Sequence, residues 1–151
     1  MTIGSVLQTF QAQLETARLE TPRLDVLLLA AHLLEKDKSW VMAHEADTVT
    51  PHFEFSLGIL VQRRLSGESI AYICGMKEFF GHDFEVGPGV LVPRPDTETL
   101  VEWVLEDHGQ EPRCLRDVCT GTACIPVSLA FERPRWDISA SDVSPQALVW
   151  A

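Results

Sequence analysis

"LRDVCTGTACIPVSLA", residues 115–130, passes from a strand-like piece through a turn of small residues into an apolar segment of helical character. Strand, small-residue turn and helix in that order open a βαβ unit, and the neighbouring stretches extend it. "CLRDVC" (114–119) reads as the first strand, "ACIPVSLAFE" (123–132) as the helix, "WDISASD" (136–142) as the second strand and "SPQALVWA" (144–151) as the opening turns of another helix. Pro126 stands early enough in its helix that its missing N–H costs little.

Small residues in such a turn let the backbone approach a ligand, and the N–H groups at the helix start carry partial positive charge. A dinucleotide-binding loop places glycine at the first, third and sixth positions. Here those positions are Cys119, Gly121 and Cys124, so that motif fails. What stands instead is Asp117, then Cys119, Thr120, Gly121, Thr122 and Ala123, and, at the end of the following strand, Asp142. A carboxylate at that place can accept hydrogen bonds from both hydroxyls of a ribose, which suits an adenosine-containing ligand. The same residues also admit a purely structural reading: a capped turn, with Asp142 or Ser144 capping the helix that starts at Pro145.

Upstream, residues 1–72 read as a helical bundle. Val6, Phe10, Leu14 and Ala17 recur at helical spacing, and a second helix follows Thr21 as N-cap and Pro22 at the first position, with Leu24, Leu27, Leu28, Ala31 and Leu34 along one side. A short helix at "SWVMAHE" follows Ser39 as its cap. Thr50 and Pro51 open another, with Phe53, Leu57, Leu60, Val61 and Leu65 as its buried stripe. Residues 73–95 form a β-hairpin connector with Gly81 near its turn and Gly87, Pro88 and Gly89 ending the second strand. Residues 96–151 begin an α/β domain with a helix capped by Asp96 or Thr97 and stopped at Gly109.

The 151 residues carry 46% hydrophobic and 23% charged side chains, the balance of a soluble globular protein. A formal charge of −10 repels nucleic acid, so direct DNA binding is not expected. No apolar run is long enough to span a bilayer, and the N-terminal residues lack a signal-peptide pattern, which points to no membrane and a cytoplasmic address. Cys74, Cys114, Cys119 and Cys124 lack the two-residue knuckle of zinc sites and read as reduced thiols, with no metal site expected. His82 and His108 sit in polar turns and read as solvated, and Arg94 and Glu98 either line a cofactor or substrate cleft or serve in helix capping and a surface ion pair.

Residues 63–102, "RRLSGESIAYICGMKEFFGHDFEVGPGVLVPRPDTETLVE", resemble the connector of the release-factor glutamine methyltransferases, the HemK/PrmC family. Residues 115–148 resemble the start of that family's methyltransferase domain, and the most specific stretches are "LVPRPDTETLVE" and "GESIAYICG". The resemblance implies a helical bundle, a β-hairpin connector and the first βαβ unit of a Rossmann-like α/β domain. It also implies S-adenosyl-L-methionine as cofactor and, as protein substrate, the glutamine of the Gly-Gly-Gln loop of peptide-chain release factors. A ribosomal protein glutamine is the alternative substrate, and a release-factor-binding module without catalysis is the alternative role.

By position, Cys119, Thr120, Gly121, Thr122 and Ala123 would form the loop beside the methionine and ribose of the cofactor, and Asp142 would take the ribose hydroxyls. The family loop usually has glycine where this chain has Cys119 and Ala123, a departure that costs most if Cys119 adopts a positive φ. The family's catalytic signature, Asn-Pro-Pro-Tyr, is absent, for the chain contains no asparagine. The resemblance therefore covers only the family's N-terminal portion, no catalytic residue is assigned, and the chain alone is expected to be inactive. A sheet shortened in this way leaves Ile138, Val143, Leu148, Val149 and Trp150 in need of cover, so association of copies through the sheet is expected.

Overall fold

The structure, a computed structural model, describes residues 1–151. The chain divides into two compact units, Met1–Cys74 and Gly75–Ala151.

The first unit is helical: α1 (Ile3–Thr16), α2 (Pro22–Leu34), α3 (Lys38–Ala43), α4 (Pro51–Leu65) and α5 (Ile70–Cys74). Helix α1 starts where Thr2 and Ser5 exchange side-chain and backbone hydrogen bonds in a capping box, and it buries Ile3, Val6, Leu7, Phe10 and Leu14. Helix α4 is capped as its sequence suggests, the Thr50 hydroxyl accepting the Phe53 N–H, and Phe53, Leu57 and Val61 are buried.

Two readings of this unit need correction. The cap of α3 is Asp37, whose carboxylate accepts the Trp40 N–H at 2.7 Å, and Ser39 lies inside the helix. A carboxylate at a helix start gains from the dipole as well as from the hydrogen bond, so it outcompetes the later hydroxyl. Helix α2 does not bury one stripe. It packs against α1, α3, α4 and α5, burying Val26, Leu27, Leu29, Ala30 and Ala31, while Leu24 in its first turn is 44% exposed. An element surrounded on several sides is apolar nearly all round, and periodicity then cannot select a face. Its first turn is tied by Thr21, whose hydroxyl donates to Asp25 at 2.8 Å rather than capping a backbone N–H. Asp25, 3% exposed, is paired with Arg64 at 2.7 Å.

The second unit opens with the hairpin β1 (Met76–Phe79) and β2 (His82–Glu85), antiparallel with Phe79 opposite His82. Phe80 and Gly81 between them have φ of 52° and 74°, the paired positive angles of a two-residue hairpin turn. A 3₁₀ turn at Pro95–Thr97 leads into α6 (Glu98–Asp107). Thr97 stands at the N-cap position of α6, one of the two residues expected there, but its side chain makes no capping hydrogen bond, because the 3₁₀ turn already directs the chain into the helix and holds Thr97 at helical angles. The helix ends at Asp107, two residues before Gly109.

Strand β3 (Cys114–Val118), helix α7 (Cys124–Glu132) and parallel strand β4 (Asp137–Ser141) follow, with Asp117 opposite Ala140 and Val118 opposite Ser141. Helix α7 packs on both strands and on α6. Phe79, Phe84, Val101, Cys124, Leu129 and Trp136 form the core of this unit. The last segment closes into a 3₁₀ turn at Ala147–Val149, not an α-helix.

Of the residues expected to need cover, Val143, Leu148 and Val149 are exposed, Ile138 packs against the core and Trp150 is half-buried. His82 is not simply solvated: its ring stacks on Phe131 at 4.3 Å. His108 meets Trp136 edge-on at 6.2 Å between centroids. No helix is long and apolar enough to cross a membrane.

Candidate functional site

Strand β3 ends at Val118 and α7 starts at Cys124, leaving Cys119–Ala123 to turn the chain at the carboxyl ends of both strands. The turn is anchored from below. The N–H groups of Cys119 and Thr120 both donate to the Ser141 carbonyl, at 2.9 and 3.0 Å, and the Ala123 N–H returns to the Thr120 carbonyl at 3.0 Å.

The backbone of this turn is left-handed at alternate residues: φ is 66° at Cys119, 59° at Gly121 and 56° at Ala123. Only glycine takes that region without a steric penalty, and a side chain there costs about 1 kcal/mol. Both non-glycine substitutions noted in the sequence therefore fall on strained positions. Pinning from two strands keeps the conformation despite them.

Asp142 is joined to the turn directly. Its Oδ2 accepts the Gly121 N–H at 2.9 Å, and its Oδ1 accepts the Ser144 N–H at 2.8 Å. These backbone donors, Ser144 first and then Gly121, hold the carboxyl below the usual aspartate range, so it is ionised at neutral pH. Asp142 does not cap the turn that follows; the Ser144 hydroxyl does, accepting the Ala147 N–H at 3.2 Å. An ionised carboxylate offers about four acceptor positions, and two are filled from within the chain. Asp142 is half-buried.

Cys119 is exposed and Gly121 half-buried, whereas Thr120, Thr122 and Ala123 are buried. The threonine side chains thus point into the protein, and the turn offers backbone and the Cys119 thiol to solvent. Beneath it, Asp117 Oδ2 and Thr120 Oγ1 are buried without a hydrogen-bond partner. Burial pushes the Cys124 thiol up despite a hydrogen bond with Thr122, so that sulfur is a packing group. Cys114 is exposed, Cys74 half-buried, and all four cysteines are free.

Arg94 and Glu98 are not brought together. The Glu98 carboxylate instead accepts the Phe80 N–H at 3.3 Å, bracing the hairpin turn against α6, while Arg94 is exposed. Val90 was not singled out by its sequence, yet it lies against the turn, 3.8 Å from where a Cβ on Gly121 would stand. The signal for it is the glycine-flanked stretch 87–89, which marks close backbone approach as readily as a strand end.

Comparison with known proteins agrees with this architecture. The PrmC N-terminal domain family matches residues 5–75. The chain is 43% identical over 132 residues to the release factor glutamine methyltransferase of Bordetella pertussis, covering 86% of this chain and 48% of that protein. It is 38% identical over 149 residues to the protein of that name from Coxiella burnetii, and 39% identical over 149 residues to the one from Koribacter versatilis. Each of these two alignments covers 98% of this chain and 53% of the relative. The chain spans about half the length of the curated relatives it matches. The chain therefore carries a PrmC N-terminal domain over residues 5–75 and is similar, over most of its own length, to about half of the release factor glutamine methyltransferases it matches.

Proposed function

We propose that the turn Cys119–Ala123 and Asp142 form the cofactor half of an S-adenosyl-L-methionine-dependent site for methylating a glutamine side chain of peptide-chain release factors, built on a Rossmann-like domain. The observation that carries this reading is the ionised, half-open carboxylate of Asp142 held against the Gly121 backbone at the carboxyl ends of two parallel strands. Ligands in open α/β sheets bind at that end of the strands. The names of the relatives supply the chemistry of the substrate.

The residues present fit the cofactor. The free lone pairs of Asp142 suit the two ribose hydroxyls, the Gly121 backbone admits close approach, and the unpartnered Asp117 and Thr120 oxygens give the turn a polar floor. S-adenosyl-L-methionine supplies a methyl group made electrophilic by its sulfonium. This chain's part is to bind and orient. An amide nitrogen is a poor nucleophile because its lone pair is delocalised, and the positioning asparagine of the family signature is not among these residues. The chain by itself therefore binds cofactor without turnover.

Calorimetric titration with S-adenosylhomocysteine tests the reading. Saturable binding that is lost in Asp142→Ala is the expected result. No heat from the parent chain, or equal affinity in the variant, overturns it. A methyl-transfer assay with a release factor is expected to stay at background, and turnover above background would show that the acceptor nitrogen is activated by other residues of this chain.

A further inference from the structure

The segment between β2 and the 3₁₀ turn at Pro95–Thr97 is not a free linker. Val86 and Val90 are 1% and 4% exposed, so the five residues 86–90 are fastened at both ends. Between them, the bare Cα of Gly87 faces the Trp150 ring so closely that a Cβ there would overlap it. Gly89, at φ 100°, faces Gln146, whose Oε1 and Cβ would lie 3.1 and 3.2 Å from an added Cβ. At the far end a Val90 methyl stands 3.8 Å from where a Cβ on Gly121 would be, next to the turn. The residues after β4 therefore press this strap from one side, and the strap borders the ligand turn on the other.

We propose that Trp150 is a positioning residue for the ligand turn: by seating its ring on Gly87 it holds the strap, and through Val90 the strap fixes Gly121 in the left-handed conformation that donates to Asp142. The Cζ2–Cη2 edge of the indole stands where a side chain on residue 87 would go, so the contact requires glycine there. Without that weight, the strained turn has one fewer wall to oppose its relaxation. The inference rests on the reading of the turn as a cofactor site only for its effect on binding; the effect on the turn itself is independent of any ligand.

The test reads both. Amide exchange of Gly121 is measured by NMR in the parent chain, Trp150→Ala, Gly87→Ala, their double variant and Trp150→Phe, together with the affinity of each for S-adenosylhomocysteine. Either alanine variant is expected to speed Gly121 exchange about fivefold or more, the double variant to add little beyond either single one, and Trp150→Phe to restore most of the protection. Affinity falls in parallel. Gly121 exchange unchanged in both single variants overturns the proposal, as do additive effects in the double variant. If exchange responds as expected but the parent binds no S-adenosylhomocysteine, the positioning role stands and the cofactor reading falls. If the parent and all variants bind equally and Gly121 exchange is unchanged, the cofactor reading stands and the positioning role falls. Because Trp150 is half-buried and outside the core, a global loss of structure is separable by Leu129 exchange at the core, which the proposal expects to be unchanged.

Discussion

The carboxylate of Asp142 and the backbone N–H of Gly121 meet at 2.9 Å, joining the end of one parallel strand to the turn that follows the other. With the Ser144 N–H on its other oxygen, the Asp142 carboxylate braces the turn from the end of β4. The turn and its acid therefore act as one unit.

The brace depends on charge. Backbone donors depress the folded pKa of Asp142 below its unfolded value of about 3.9. The stabilisation is thus fully present above that unfolded value and is lost as pH falls through the lower folded one. The stability advantage of the parent over Asp142→Asn should be flat from neutral pH down to about pH 5 and shrink below pH 4. Urea midpoints across that range check it; an advantage that grows on acidification would contradict it.

Strain at the turn gives a second expectation. Cys119 is exposed at φ 66°, so removing its side chain relieves the steric penalty at little cost in buried area. Cys119→Gly should stabilise the second unit by about 0.5 kcal/mol, the relief being partly offset by the added freedom of the unfolded chain. Cys119→Val, β-branched in the same conformation, should destabilise it by about 1 kcal/mol or more. The order of the three urea midpoints is the readout, and equal midpoints would show the turn relaxes in solution.

How much of this was legible beforehand depended on whether the deciding interaction was local. The Thr50 cap, the hairpin turn beside Gly81 and the β3-α7-β4 order follow from neighbours in sequence, and the structure has them. The α2 faces were not legible, because four other helices set its burial. Asp37 and Ser39 are both good cap residues two positions apart, and only the geometry of the turn selects Asp37. At the site, Asp142 could be read as a ligand acid or as a cap; its bond to Gly121, 21 residues away, decides that it braces the turn and does not cap the segment after it. The seat of Trp150 on Gly87 spans 63 residues and left no periodic trace.

In the helical unit two ion pairs should differ sharply. Asp25 and Arg64 are 5% and 20% exposed at their side chains, and Asp25 also accepts the Thr21 hydroxyl, whereas Arg63 and Glu68 are 41% and 28% exposed. Arg64→Ala strands a buried carboxylate and should cost about 3 kcal/mol. Arg63→Ala should cost about 1 kcal/mol or less. Thermal or urea unfolding of the two variants tests the contrast, and similar losses would contradict the burial argument.

Thiol accessibility should separate the cysteines. Cys114 and Cys119 are exposed, while burial raises the pKa of Cys74 and Cys124 above the ordinary thiol range. Native-state alkylation at neutral pH should add label quickly to Cys114 and Cys119 and slowly to the other two, by peptide mass. Rapid labelling of Cys124 would mean that the core of the second unit does not cover the start of α7.

The most direct measurement is the change in backbone ¹⁵N–¹H spectra of the chain on adding S-adenosylhomocysteine. Binding at the proposed site should move the signals of Cys119–Ala123 and of Asp142–Ser144, Gly121 among the most affected, and leave those of α1–α5 in place. Saturating shifts confined to the helical unit, or none at either segment, would contradict the assignment of this turn as the cofactor cradle.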